Sequence, residues 1–154
     1  MLLAGVAGGL LPLGPSMAQP DARWTVFTDA NGTSVQYPSD LFPGDGLEKD
    51  ELGSVLSTRD GRARLYIFTV PNERNESPAQ YVRRSFPGDR RSLDYDRVAA
   101  SFFAISENRG DRILYQRCNF SNRLIRCIRL DYPRREEREW DGIVTRISLS
   151  LRPR

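Results

Sequence analysis

The chain has 154 residues, of which 39% are hydrophobic, 28% charged and 10% aromatic, a composition that fits one globular domain and neither a disordered nor a fibrous chain. It contains no histidine and two cysteines, which excludes imidazole acid–base chemistry, histidine-ligated metals and a four-cysteine zinc site within one chain. The net charge is +3, from 23 basic residues of which Lys49 is the only lysine; this balance is too slight to indicate a nucleic-acid partner.

Residues 1–20 carry no charge, and Leu2 to Leu13 is almost entirely apolar or glycine. Ser16-Met17-Ala18 follows, a small–x–small run suited to cleavage between Ala18 and Gln19. The expectation is a signal peptide over residues 1–18 and one α+β domain over residues 19–154, placed in the bacterial periplasm. The opening Met-Leu-Leu lacks the usual Lys or Arg, as in a signal peptide truncated at its start. The apolar run is shorter than the ~20 residues a membrane helix needs and contains Pro12, so no stable membrane insertion is expected. No cysteine follows it for a lipid anchor.

Trp24 to Thr28 and Thr33 to Tyr37 read as strands joined at Asn31-Gly32, a strong hairpin signal. Pro38 to Pro43 allows one helical turn, and Gly44-Asp45-Gly46 reads as loop. Leu52 to Thr58 and Arg62 to Val70 form the clearest hairpin, closed at Asp60-Gly61, with Leu65 to Val70 a continuous apolar strand. Ser77-Pro78 starts a short helix over Ala79 to Phe86, with serine as cap and proline at the first helical position. Asp96 to Glu107 reads as one long strand, followed by a turn at Asn108 to Asp111.

Ile113 to Phe120 and Leu124 to Tyr132 complete a meander. A two-residue turn at Asn122-Arg123 sets Cys118 directly opposite Cys127 in a non-hydrogen-bonded pair, the closer of the two pair types, so a disulfide is expected. The last segment is the best helix: Trp140, Ile143, Val144, Ile147 and Leu151 repeat with helical period. Glu136, Glu137 and Glu139 sit in its first turns, and Arg146 and Arg152 near its other end. The fold class expected is α+β: an antiparallel sheet of six to seven strands built from hairpins, flanked by two or three helices, with the C-terminal helix on the sheet.

Phe27 through Tyr37-Pro38, Leu41-Phe42, Ser57 to Leu65, Tyr95-Asp96, Tyr115 to Cys118, Leu130 to Pro133 and Trp140 to Val144 resemble a family of small exported proteins common in alphaproteobacteria. The order of strands and helices is similar to the PsbP-like, Mog-type fold. The resemblance implies an accessory or binding protein. The matching residues are strand ends, turns and a helix start, so no catalytic residue is carried over.

Motifs for chemistry are absent: no phosphate loop, no dinucleotide fingerprint and no nucleophile elbow. Without histidine a cysteine nucleophile has no usual base, and Lys49, the one candidate for a serine–lysine dyad, lies among Glu48, Asp50 and Glu51. These acids with Asp45 do not match a calcium loop. Asp94 and Asp96 share a strand face beside Arg97, and Arg109-Gly110-Asp111 fits a hairpin turn. No cofactor, metal or catalytic residue is expected. Asn31, Asn75 and Asn119 head glycosylation sequons that fall where turns and strands need them.

Arginines offer the best binding candidates. Arg83-Arg84 and Arg90-Arg91 flank one loop. On the cysteine hairpin, Arg117 and Arg126 face away from the disulfide, Arg129 faces with it, and Tyr115 and Tyr132 share the side of Arg117. Arginine with tyrosine is the composition of interface hot spots. The sequence reading is therefore an exported, non-catalytic protein that recognises another protein through Tyr115, Arg117, Arg126 and Tyr132. The alternatives are a small-molecule or ion-binding module with a pocket between sheet and helix, and a hydrolase using carboxylates.

Overall fold

The structure is a computed structural model that describes residues 23–88, 93–121 and 123–153. The expected signal peptide and its Ala18–Gln19 cleavage point lie outside the described residues. β1 (Trp24–Thr28) and β2 (Thr33–Pro38) pair antiparallel, Trp24 opposite Pro38 and Thr28 opposite Ser34. Asp29 braces their turn, its Oδ1 accepting the N–H groups of Asn31 and Thr33 at 2.8 Å each. Gly32 supplies the positive φ, +74°, that the turn requires.

β3 (Leu47–Lys49), β4 (Ser54–Ser57) and β5 (Arg64–Pro71) follow, then α1 (Pro78–Ser85), β6 (Tyr95–Val98), β7 (Phe102–Arg109), β8 (Arg112–Ser121), β9 (Leu124–Pro133), α2 (Glu137–Ser150) and β10 (Arg152–Pro153). Seven strands form one sheet in the order β3-β4-β5-β9-β8-β7-β6, and a second sheet has the order β1-β2-β10. Every pairing is antiparallel. The expected α+β class, hairpin construction and C-terminal helix packed on the sheet are all present.

Four features differ from the sequence reading. The single strand expected over Asp96 to Glu107 is two strands, because a tight turn in which Ala99 N–H donates to the Phe102 carbonyl at 2.8 Å reverses the chain. β3 forms within a stretch that reads as polar loop. Arg152 lies in β10 rather than in α2, because Leu151 leaves helical geometry. The first hairpin joins β10 in its own sheet instead of extending the large one.

The large sheet buries both faces at its centre. One face meets α2 and the small sheet through Leu56, Leu65, Ile67, Ile113, Ile128 and Leu130, packed against Val35, Phe42, Trp140, Val144 and Ile147. Trp140 anchors this layer, its ring 5.4 Å from Tyr132 and 5.9 Å from Phe42. The opposite face meets α1: Phe103 lies 5.7 Å from Tyr81 and 5.9 Å from Phe86, beside Phe68, Val82, Ile125 and the two cysteines. α1 begins with a complete capping box, Gln80 N–H donating to Ser77 Oγ and Ser77 N–H to Gln80 Oε1, which satisfies two otherwise orphaned donors.

Gly53 sits where β4 leaves its turn with no room for a side chain. A Cβ there would lie 2.6 Å from the Ile67 carbonyl oxygen and 2.8 Å from Phe68 Cβ. Gly53→Ala is therefore expected to destabilise the fold by about 1–3 kcal/mol, read as a lower urea midpoint. Gly110→Ala, with nothing within 4 Å of its Cβ position, bears only the strain of its positive φ and costs less.

Candidate functional site

The β8–β9 hairpin sets the positions of the two cysteines and of the residues expected to form a binding face. Its register pairs Ser121 with Leu124 and Cys118 with Cys127, as a two-residue turn dictates. Cys118 and Cys127 form a disulfide with a Cα–Cα distance of 4.2 Å. Directly opposed residues share a face, so Tyr115, Arg117, Arg126 and Tyr132 point away from the disulfide, as expected, and Arg129 points with it.

That shared face is not an open surface, which corrects the proposed binding face. It lies under α2 and the small sheet. Tyr132 is buried and stacked on Trp140; burial first, then the nearby Glu137 and Asp141 charges, push its hydroxyl up to about 12. Tyr115 bonds Ser148 Oγ of α2 at 2.6 Å, and burial raises its pKa as well. Arg126 is 5% exposed and donates to Ser121 Oγ at 2.8 Å. Arg117 lies over the Phe102 ring at 4.1 Å and donates to Asn119 at 3.0 Å. Tyr132 and Arg126 are thus buried and Tyr115 half-buried against the core, each hydrogen-bonded or stacked within the protein, and no contiguous Tyr/Arg surface forms there.

A Tyr/Arg surface does exist on the disulfide side. α1 covers only the end of that face that carries Phe68, Cys118, Phe120, Cys127 and Ile125. At the other end Arg64, Tyr66, Leu114, Arg129 and Asp131 lie on adjacent strands β5, β9 and β8, with Tyr66 opposite Arg129 and Leu114 opposite Asp131. No described helix lies over them. A groove of about 570 Å³ runs here, lined by Tyr66, Leu114, Arg129, Asp131 and Arg109 and rimmed by Asp50 to Leu52. Arg129 Nε donates to Gln116 at 2.9 Å, and Arg112 pairs with Asp131 at 2.8 Å. Arg64 beside Tyr66 has its pKa raised, first by that neighbour and then by the Asp131 and Glu48 charges. The sequence carries the signal in β5, where Arg64 and Tyr66 alternate with the buried Leu65 and Ile67; reading that run as uniformly apolar conceals it.

The remaining candidates resolve locally. Asp50 Oδ1 accepts the N–H groups of Leu52 and Gly53, a turn brace. Among the described residues no group of acids, with or without cysteine, has a metal-binding arrangement. Lys49 is exposed on β3, Arg109 ends β7 with Gly110 and Asp111 forming the β7–β8 turn, and Arg84 is ion-paired with Glu76 at 2.7 Å. Asp94 precedes β6 and Asp96 lies in it. Arg90 and Arg91 lie outside the described residues. A hollow of about 310 Å³ opens between the β4–β5 turn and the start of α2, lined by Leu41, Trp140 and Ile143 with Asp40, Asp60 and Glu136 at its rim. Arg62 links Asp60 to Glu136 across it. Asp40 and Asp60 are both held below the usual carboxylate range by hydrogen bonds, to Arg23 and to Thr58 and Arg62 respectively.

No family model and no curated protein matches the chain. Among solved structures it is similar to the solution structure of cyanobacterial PsbP, CyanoP, from Synechocystis, with a TM-score of 0.62 and 10% sequence identity over 93% of this chain and 99% of that one. The fold is PsbP-like, as the sequence resemblance implies.

Two titrations check the assignments. Tyr132 is raised in the folded state, so its contribution is intact below the unfolded value near 10 and is lost as pH rises towards about 12. A phenolate absorbance titration should show a late-ionising tyrosine that Tyr132→Phe removes. Glu76 is lowered by its hydrogen bonds from Arg84, so its contribution is present above the unfolded carboxylate value and lost as pH falls below it. Glu76→Gln should flatten the acid limb of the stability profile, measured by urea unfolding at each pH.

Proposed function

We propose that this is an exported accessory protein without catalytic function, which recognises another protein through the uncovered end of the disulfide face. The observation that carries this reading is the cluster of Tyr66, Arg64, Arg129 and Leu114 on a rigid sheet that α1 leaves uncovered. Strands fix these side chains without loop flexibility, and arginine and tyrosine beside an apolar residue are the composition of interface hot spots. A disulfide in a small protein fits an oxidising compartment such as the periplasm. No described helix is long and apolar enough to cross a membrane. Among the described residues the carboxylates with a displaced pKa, Asp40, Asp60 and Glu76, are all lowered, the wrong direction for a general acid near neutral pH. The known PsbP neighbour adds the fold and nothing finer.

A small-molecule role has one specific support, the hollow over Trp140, where acids and an arginine converge on an apolar floor.

Photo-crosslinking residues placed at Tyr66 and Arg129 in the native host should capture one and the same protein. A probe at Gln80 on α1 should not capture it, and with the probe at Tyr66, Arg64→Glu with Arg129→Glu should abolish the adduct while the fold is retained. Capture at Gln80 alone, or adducts that survive the double substitution, would overturn the assignment of this face. Recovery of the mature protein starting at Gln19 would establish export.

A further inference from the structure

The two sheets end in four edge strands, and natural proteins blunt such edges with charge, proline or shortness. Three of the four are blunted. β3 has three residues and carries Glu48 and Lys49, β6 carries Asp96 and Arg97, and β10 is the dipeptide Arg152-Pro153. β1 is different. Its five residues, Trp-Thr-Val-Phe-Thr, include no charge and no proline, and among the described residues it pairs with β2 alone.

The ladder shows which main-chain groups this edge presents. At its two ends Ser39 N–H donates to the Arg23 carbonyl at 2.8 Å and Asp29 N–H to the Thr33 carbonyl at 2.9 Å. Antiparallel pairing alternates bonded and non-bonded pairs, so Thr25 and Phe27 also bond towards β2. Trp24, Val26 and Thr28 therefore turn their N–H and C=O groups outward. Pro38, which has no N–H, sits opposite Trp24, a non-bonded position that this phase allows.

We infer that β1 is a docking edge for a second copy of this chain, pairing antiparallel with its own equivalent about a twofold axis at Val26. In that register Val26 faces Val26 and Trp24 faces Thr28 of the other copy. All outward N–H and C=O groups of the three residues find partners, because each outward residue meets an outward residue. The same register sets Arg23 of each copy opposite Asp29 of the other at both ends; the Arg23 side chain is 85% exposed and pairs with Asp40 at 3.0 Å, so the second carboxylate would join an existing ion pair. Asp29 already accepts three hydrogen bonds, from Asn31, Thr33 and Thr69, which hold its charge at this end of the strand. A register shifted by two residues loses both the charge match and the outermost bonds. Val26 is 54% exposed. On the same side of the small sheet lies the groove over α2, about 590 Å³, with Gln36, which pairs with Val26 on β2, and Leu149, 71% exposed, in its wall. Self-pairing closes the small sheets into one six-stranded sheet and covers the apolar side chain at its centre.

The test is the molar mass of the mature protein from micromolar to millimolar concentration, by sedimentation equilibrium. The expected result is a monomer–dimer equilibrium. Val26→Pro removes only an outward N–H and leaves the β1–β2 ladder intact; Val26→Lys sets two like charges against each other across the axis. Each should weaken the dimer at least about tenfold, with circular dichroism and the urea midpoint unchanged. If the proline variant fails to fold, the lysine variant decides. A wild type that stays monomeric throughout, or a dimer that survives both substitutions, overturns the inference. A monomer whose β1 crosslinks to a different protein overturns it too, and assigns the edge to a foreign strand.

Discussion

The register of the β8–β9 hairpin is the constraint on which the rest depends. A sheet side chain changes face with every residue, so a slip of one position would turn the whole set inside out. Here β9 is buried on both faces. Ile128 and Leu130 feed the core beneath α2, while Ile125 and Cys127 feed the core beneath α1. The two-residue turn fixes the phase, and the bond between Cys118 and Cys127 holds it covalently at the centre of the sheet. Crosslinking a loop of about ten residues stabilises by roughly 2–3 kcal/mol in the chain-entropy view. Its larger consequence is that no alternative pairing of these two strands is compatible with it.

With the phase fixed, the positions of the arginines follow from odd and even numbering alone. Arg129 stands on one side and Arg117 and Arg126 on the other. What local sequence does not carry is which side another element covers. α2 and the small sheet come from distant parts of the chain, and they settle on the side of Tyr115 and Tyr132. Those two tyrosines then serve the interior: one takes a hydrogen bond with Ser148, the other stacks on Trp140. Meanwhile α1 has only eight residues, too few to span the opposite face, and so the end of that face with Arg64, Tyr66 and Arg129 is left outside.

Much of the fold was legible because its signals are local. Asn31-Gly32 and Asp60-Gly61 mark hairpins, Ser77-Pro78 starts α1, and the spacing of Trp140, Ile143, Val144 and Ile147 gives α2. The break at Ala99 to Ser101 was hidden because those small residues continue a strand-like run without a proline or glycine to interrupt it. The separation into two sheets was hidden for a different reason: it depends on β10 and on Ser150 meeting Gln36 across the chain, contacts that leave no periodic trace. The candidate surface was half legible. The residue types sought, tyrosine and arginine, do meet on one face, while the particular members, Arg64 and Tyr66, lie in a strand that reads as core because its alternate residues are.

The larger core also determines when the protein can fold. Val35 and Tyr37 near one end of the described chain share that core with Trp140, Val144, Ile147 and Leu151 near the other. A chain still emerging from the ribosome lacks α2 until that segment is made, so the layer over Ile128 and Leu130 stays open to water. The interactions of this layer become available only after α2 has been made, because long-range contacts come only after the loop entropy between them has been overcome. The core beneath α1 needs no residue beyond β9, so the two faces of the sheet close at different times, the face beneath α2 only once helix and first hairpin can meet.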